Sequence, residues 1–287
     1  MKLDGRREST NVDDRRGKKA GIALGGGIVG VIIAVVMTLM QGGDLNQVIQ
    51  NTDLGSLTGQ NTTTQTEFSP EEQELAKFSK QILAGTEDVW TQEFKKMGKT
   101  YKAPKLVLYT GSVNTACGNG SSSMGPFYCS GDQCVYIDLS FFMDMKKNLG
   151  ADGDFAYAYV IAHEVGHHVQ WLLGDLDAAH EKMARLNEKE ANQISVRLEL
   201  QADFYAGIWA HHDNKMYGSI EDGDIEEGIR CAQVIGDNYL QEKARGHSVP
   251  DSFTHGTSEQ RMRWLKLGIS TGDVKRGDTF SPNYGSL

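Results

Sequence analysis

The sequence predicts an α+β protein: a mainly helical domain with a small sheet, preceded by one N-terminal transmembrane helix. Three observations carry that reading. An uncharged run from Ala20 to Met40 is long enough to cross a bilayer core of about 30 Å at about 1.5 Å per residue. Apolar residues recur at helical spacing after Ser69, through 158–173 and through 197–207. Two short runs, Lys105–Thr110 and Val135–Asp138, have the β-branched and aromatic content of strands. Of the 287 residues, 39% are hydrophobic. With the N-terminal part set aside, about 220 remain, enough for one domain with a sizeable core. The formal net charge of -9 argues against a nucleic-acid partner, which calls for a basic face.

In chain order, residues 1–19 are polar and charged and read as a disordered cytoplasmic tail. Residues 20–40 read as an uncleaved anchor, because the run ends without a small-x-small cleavage site. Arg15, Arg16, Lys18 and Lys19 before it, with Asp44 and Asp53 after it, place the N-terminus inside and the rest outside the cell membrane, a single-pass arrangement. Gly21 with Gly25 and Gly26 with Gly30 have the spacing that lets two such helices pack as a dimer. Residues 41–68, rich in Gln, Asn, Thr and Gly, form a flexible linker. The domain is then 69–287.

Ser69 as N-cap, Pro70 in the first turn and Glu71 and Glu72 behind it start the domain's first helix. Its apolar stripe runs from Leu75 to Met97, with a bend expected at Gly85. The strand 105–110 follows. A loop dense in Gly and Ser carries Cys117, Cys129 and Cys134 and has no Cys-x-x-Cys pair, which excludes a zinc ribbon. Thiols that meet outside the cytoplasm oxidise. A Cys117–Cys129 disulfide is therefore expected, with Cys134 and Cys231 left for a second bridge. Asp152–Asp154 start a helix that Gly174 ends. A charged helix over 180–189 leads into another that reaches His212, and a short one covers 224–236. Thr257 with Gln260 is a capping box, so His255 lies just ahead of a helix. The stretch after Gly268 is polar and reads as a loose tail.

The chemistry concentrates in His163-Glu164-Val165-Gly166-His167. Residues four apart share a helix face, so His163 and His167 can present two imidazoles to one metal ion. Glu164 stands beside them, placed to take a proton from water at the metal. Zn2+ suits such a site because it accepts nitrogen and oxygen ligands and leaves a position for water. Gln170 and Leu173 occupy the positions where a metzincin would carry Gly and His, so that class is excluded. Downstream, Glu199 and Asp203 are one helical turn apart. Glu199 supplies the third ligand, and Asp203 accepts the far N–H of a ligand histidine. His168, His180, His211 and His212 read as surface or structural residues.

These motifs resemble the gluzincin branch of metallopeptidases, and more closely the bacterial "putative neutral zinc metallopeptidase" family. The shared stretches are Asn11–Gly17, Gly125–Cys129, Val135–Asp138, the His-Glu-x-x-His helix, Glu199–Asp203 and Thr254–Ser258. The resemblance implies a zincin-like metallopeptidase domain acting on a peptide or protein substrate. It also implies that 135–138 is the edge strand lining the cleft, and that His255 lies near the site to stabilise an oxyanion. A zinc amidase acting on a non-peptide bond and a non-catalytic zinc-containing envelope binding protein are the competing readings. The intact Glu164 speaks against the second.

Overall fold

In the computed structural model, the described residues are 1–17 and 68–287. The expected membrane anchor and nearly all of the linker lie outside them. Among the described residues, no helix is long and apolar enough to cross a membrane.

Local signals set the main helices. α1 (Pro70–Lys96) begins where Ser69 Oγ accepts the Glu72 N–H, and it continues through Gly85. The strands are β1 (Val12–Asp14), β2 (Lys105–Tyr109), β3 (Ser112–Thr115), β4 (Gly118–Ser121), β5 (Phe127–Cys129) and β6 (Cys134–Asp138). Helices α2 (Ser140–Asp144), α3 (Asp154–Leu173), α4 (Asp175–Met183) and α5 (Glu188–Tyr217) follow. After them come α6 (Asp224–Val234), α7 (Asp237–Arg245) and α8 (Ser258–Thr271). Gly174, in the left-handed region at φ 91°, stops α3 as expected. Gly153 rather than an aspartate holds the N-cap position of α3, and no side chain caps it.

Four strands form one sheet in the order β1-β2-β6-β5. β1–β2 and β2–β6 are parallel, and β5–β6 is antiparallel. β6 is therefore an interior strand, and β5 holds the edge expected for 135–138. Alternation along the strands divides the side chains between two faces. Leu106, Leu108, Val135 and Ile137 join the helices in the main core, with Trp90, Phe155, Phe204 and Trp209. Val107, Tyr109, Cys129, Cys134 and Tyr136 face the other way, beneath the β3–β4 hairpin.

The expectation of a loose charged tail at residues 1–19 fails for residues 1–17. They belong to the folded body because their charges find partners there. Arg6 makes two bonds to the buried Asp213, at 2.8 and 2.6 Å. Arg16 is itself buried and bonds both Asp14 and the Glu72 carbonyl. The Met1 ammonium lies 2.5 Å from Asp154 at the start of α3. The C-terminal stretch is not loose either. α8 runs on to Thr271, Thr279 is fully buried with its hydroxyl donating to the Arg197 carbonyl, and Leu287 is 4% exposed. The Cys117–Cys129 disulfide is present. Cys134 and Cys231 are free and belong to different core clusters, so they do not form the second bridge.

Candidate metal centre

α3 and α5 cross close together at one place, and Gly166 is the reason. A Cβ there would stand 3.0 Å from the Ala202 carbonyl oxygen and 3.1 Å from the Ala202 Cα. This approach brings Glu199 up to the two histidines. His163 Nε2 lies 3.1 Å from Glu199 Oε2, and His167 Nε2 lies 3.4 Å from Oε1. One ligand atom from each of the three residues falls within 4.8 Å of the others. Two imidazole nitrogens and a carboxylate oxygen converging from two helices form a donor set that zinc accepts, so the residues fit the implied ion.

The far nitrogens of both rings are fixed. His163 Nδ1–H donates to Asp203 Oδ1 at 2.8 Å, and His167 Nδ1–H donates to Gln170 Oε1 at 2.8 Å. Gln170 is held in turn by the Leu198 carbonyl and Gln201. Both Nε2 atoms therefore turn toward Glu199. Asp203 is fully buried and also accepts from Tyr159 Oη at 2.5 Å, Arg261 Nε at 2.8 Å and Arg261 Nη2 at 2.9 Å. Burial alone would raise its pKa. Arg261 and His163 outweigh that and hold it at about 2.

The remaining charges divide by role. Burial works against a charged His163, but Asp203 and Glu199 raise it to about 10. Glu199 is pushed the other way, well below the usual carboxylate range despite its burial, by His255, His167 and His163. Glu164 is buried beside His163, and burial raises its pKa. That is the direction a proton-transferring carboxyl needs.

His255 reaches the same region from the turn before α8. Asp237 Oδ2 accepts the successive backbone N–H groups of Thr254, His255 and Gly256, at 2.8, 2.6 and 2.9 Å. Its Oδ1 lies 3.4 Å from His255 Nδ1. Burial disfavours a charged His255, while Glu199 and Asp237 raise its pKa. The His255 side chain is 33% exposed, open to an incoming ligand.

The structure thus brings together His163, Glu164, His167, Glu199, Asp203 and His255. The sequence reading missed Tyr159, Gln170, Asp237 and Arg261. Only Asp237, directly after Gly236 at a helix start, carried a local signal. His168, expected to be a surface or structural residue, is structural: it is fully buried between the Tyr128 hydroxyl and the Lys102 carbonyl.

Comparison with known proteins places these residues in a family setting. The model of the family described as "Putative neutral zinc metallopeptidase" matches residues 1–280. The chain is 50% identical over 292 residues to the Escherichia coli (strain K12) protein "Uncharacterized protein YpfJ", covering 98% of this chain and 99% of that one. It is 39% identical over 191 residues to an uncharacterized protein of Mycobacterium tuberculosis, covering 63% of this chain and 64% of the other. No solved structure matches.

Proposed function

The chain belongs to the Putative neutral zinc metallopeptidase family, and we propose on that footing that it hydrolyses peptide bonds with Glu164 as the general base. The observation that carries the reading is the meeting of His163, His167 and Glu199 within 4.8 Å, with the buried Glu164 next to them. A zinc ion held by those three side chains supplies Lewis acidity toward a carbonyl oxygen and a water. Glu164 takes the proton of the attacking water and returns it to the leaving amine nitrogen. His255, held by Asp237, donates toward the oxyanion formed from the carbonyl. Asp203 and Gln170 keep the ligand rings turned the right way.

The test uses Glu164→Gln, which keeps size and hydrogen bonding but cannot accept the proton. Hydrolysis of a proteome-derived peptide library is expected to fall by about 10²–10⁴-fold, while zinc content by elemental analysis stays near wild type. Equal cleavage by variant and wild type, with zinc in both, sinks the assignment. Cleavage of cell-wall amides but of no peptide would move the reading to an amidase.

A further inference from the structure

The geometry points to a thiol–disulfide exchange site made of Cys117, Cys129 and Cys134, on the sheet face turned away from the metal centre. In the exchange, the Cys134 thiolate attacks Cys129 Sγ, a Cys129–Cys134 bond forms, the Cys117–Cys129 bond breaks, and Cys117 leaves as a thiolate. One S–S bond replaces another and the proton given up by Cys134 ends on Cys117. No oxidant or reductant is consumed.

Register makes the attack available. Cys129 and Cys134 are directly paired across β5 and β6, and both belong to the outer-face cluster with Tyr136 and Phe127. Residues facing each other in an antiparallel pair have Cα atoms about 4.5–5.5 Å apart, inside the roughly 4.4–6.8 Å that a disulfide spans. Either cysteine can therefore be Cys129's partner without moving the strands. Cys117 comes to the same place from the exposed turn between β3 and β4. A Cβ on Gly131, in the turn between β5 and β6, would stand 3.6 Å from Cys117 Sγ. Three sulfurs thus surround one turn.

Asp132 keeps the exchange in check. Its Oδ2 accepts the Ala116 N–H at 2.9 Å and the Tyr136 hydroxyl at 2.7 Å, tying hairpin, turn and β6 together. Its Oδ1 is buried without a hydrogen-bond partner. The Cys134 S–H donates to the Asp132 carbonyl oxygen at 3.3 Å. Burial first, and Asp132 second, push the Cys134 thiol up to about 11, against the opposing pull of the Tyr136 hydroxyl and the Lys105 ammonium. Only the thiolate attacks, so exchange is slow at neutral pH. Once formed, the Cys129–Cys134 bond removes the covalent tie between the β3–β4 hairpin and β5, leaving the Ala116–Asp132 hydrogen bond to hold the hairpin. It also leaves Cys117 as an exposed thiol open to soft electrophiles and small disulfides.

The experiment incubates the native full chain with N-ethylmaleimide at pH 7, 8 and 9, then maps unreduced peptides by mass spectrometry. The expected product carries the label on Cys117 and contains a Cys129–Cys134 cross-link. Its rate of formation should rise about tenfold per pH unit, as thiolate attack requires. Cys134→Ser should abolish it, and Asp132→Asn should speed it by tenfold or more. Cys231 is the folding control, because it is buried in the main core and must stay unlabelled. Label on Cys134 with Cys117–Cys129 intact overturns the proposal. So does a chain left unlabelled at pH 9, or label on Cys117 in the Cys134→Ser variant. None of these readouts depends on zinc or peptidase activity.

Discussion

Arg261 is the residue on which the alignment of the candidate metal centre depends. Its guanidinium grips both oxygens of Asp203, and Asp203 in turn fixes the His163 ring. Arg261→Lys keeps the charge but loses the two-pronged geometry. It is expected to weaken zinc binding by about 10–100-fold, the usual effect of losing such support, as measured by chelator competition on folded protein. Unchanged affinity would show that Asp203 holds its place without the fork. His168 gives a second prediction. Burial lowers its pKa to about 4, and it is neutral in the fold. Between about pH 6.5 and 4 the unfolded chain binds a proton that the folded one refuses. Its contribution is therefore whole above the unfolded pKa and falls away with acid, by about 3 kcal/mol in all. Denaturant titrations from pH 7 to 4 should show a shallower loss for His168→Gln than for wild type, and parallel curves would contradict it. The meeting of His163, Glu164, His167 and Glu199 was legible in the sequence because their spacing on helices is itself the signal. Arg261 and Tyr159 were not, since nothing local to either marks a partner that folding brings from a distant helix.

At the scale of elements, the centre depends on how closely helices approach, and glycines set that distance. Gly207 on α5 and Gly268 on α8 face each other. A Cβ on Gly268 would stand 2.2 Å from the Phe204 carbonyl oxygen and 2.8 Å from the Gly207 Cα. Because those atoms are backbone, the helices themselves would have to move apart. Gly268→Ala is expected to cost about 1–3 kcal/mol through overpacking, outweighing the helix propensity that alanine gains. Urea melts of variant and wild type check this, and a stabilised variant would refute it. The starts at Ser69 and Thr257 and the stop at Gly174 could be read locally, because each is a bond or a φ that one residue provides. β1 could not. Val12, Asp13 and Asp14 have no alternating pattern and become a strand only by pairing with Leu106, Val107 and Leu108. The same holds for the C-terminal stretch, whose order comes from Arg197, Gln201 and Arg263 bonding its carbonyls.

For the whole molecule, the decisive fact is where the two described segments meet. The Arg16 guanidinium lies 4.2 Å over the Phe68 ring, so the end of the first described segment and the start of the second stand side by side. β1 is hydrogen-bonded into the sheet, and strands do not pair across a bilayer. We therefore predict that residues 1–17 and 68–287 lie on one side of any membrane that the apolar run 20–40 meets. The sequence signals pull apart here. The basic residues before that run argue for a cytoplasmic position of residues 1–17, whereas the Cys117–Cys129 bond argues for an oxidising one. The pairing of β1 with β2 makes these a single question with one answer for both segments. Thr10 and Thr100 are exposed positions on the two segments, suited to single cysteine reporters. With Thr10→Cys and Thr100→Cys in the full chain, a membrane-impermeant maleimide on intact cells should label both or neither. Labelling both places the body outside, and labelling neither, with both reactive after lysis, places it inside. Labelling one alone would mean that β1 is not paired with its own chain's sheet in the cell.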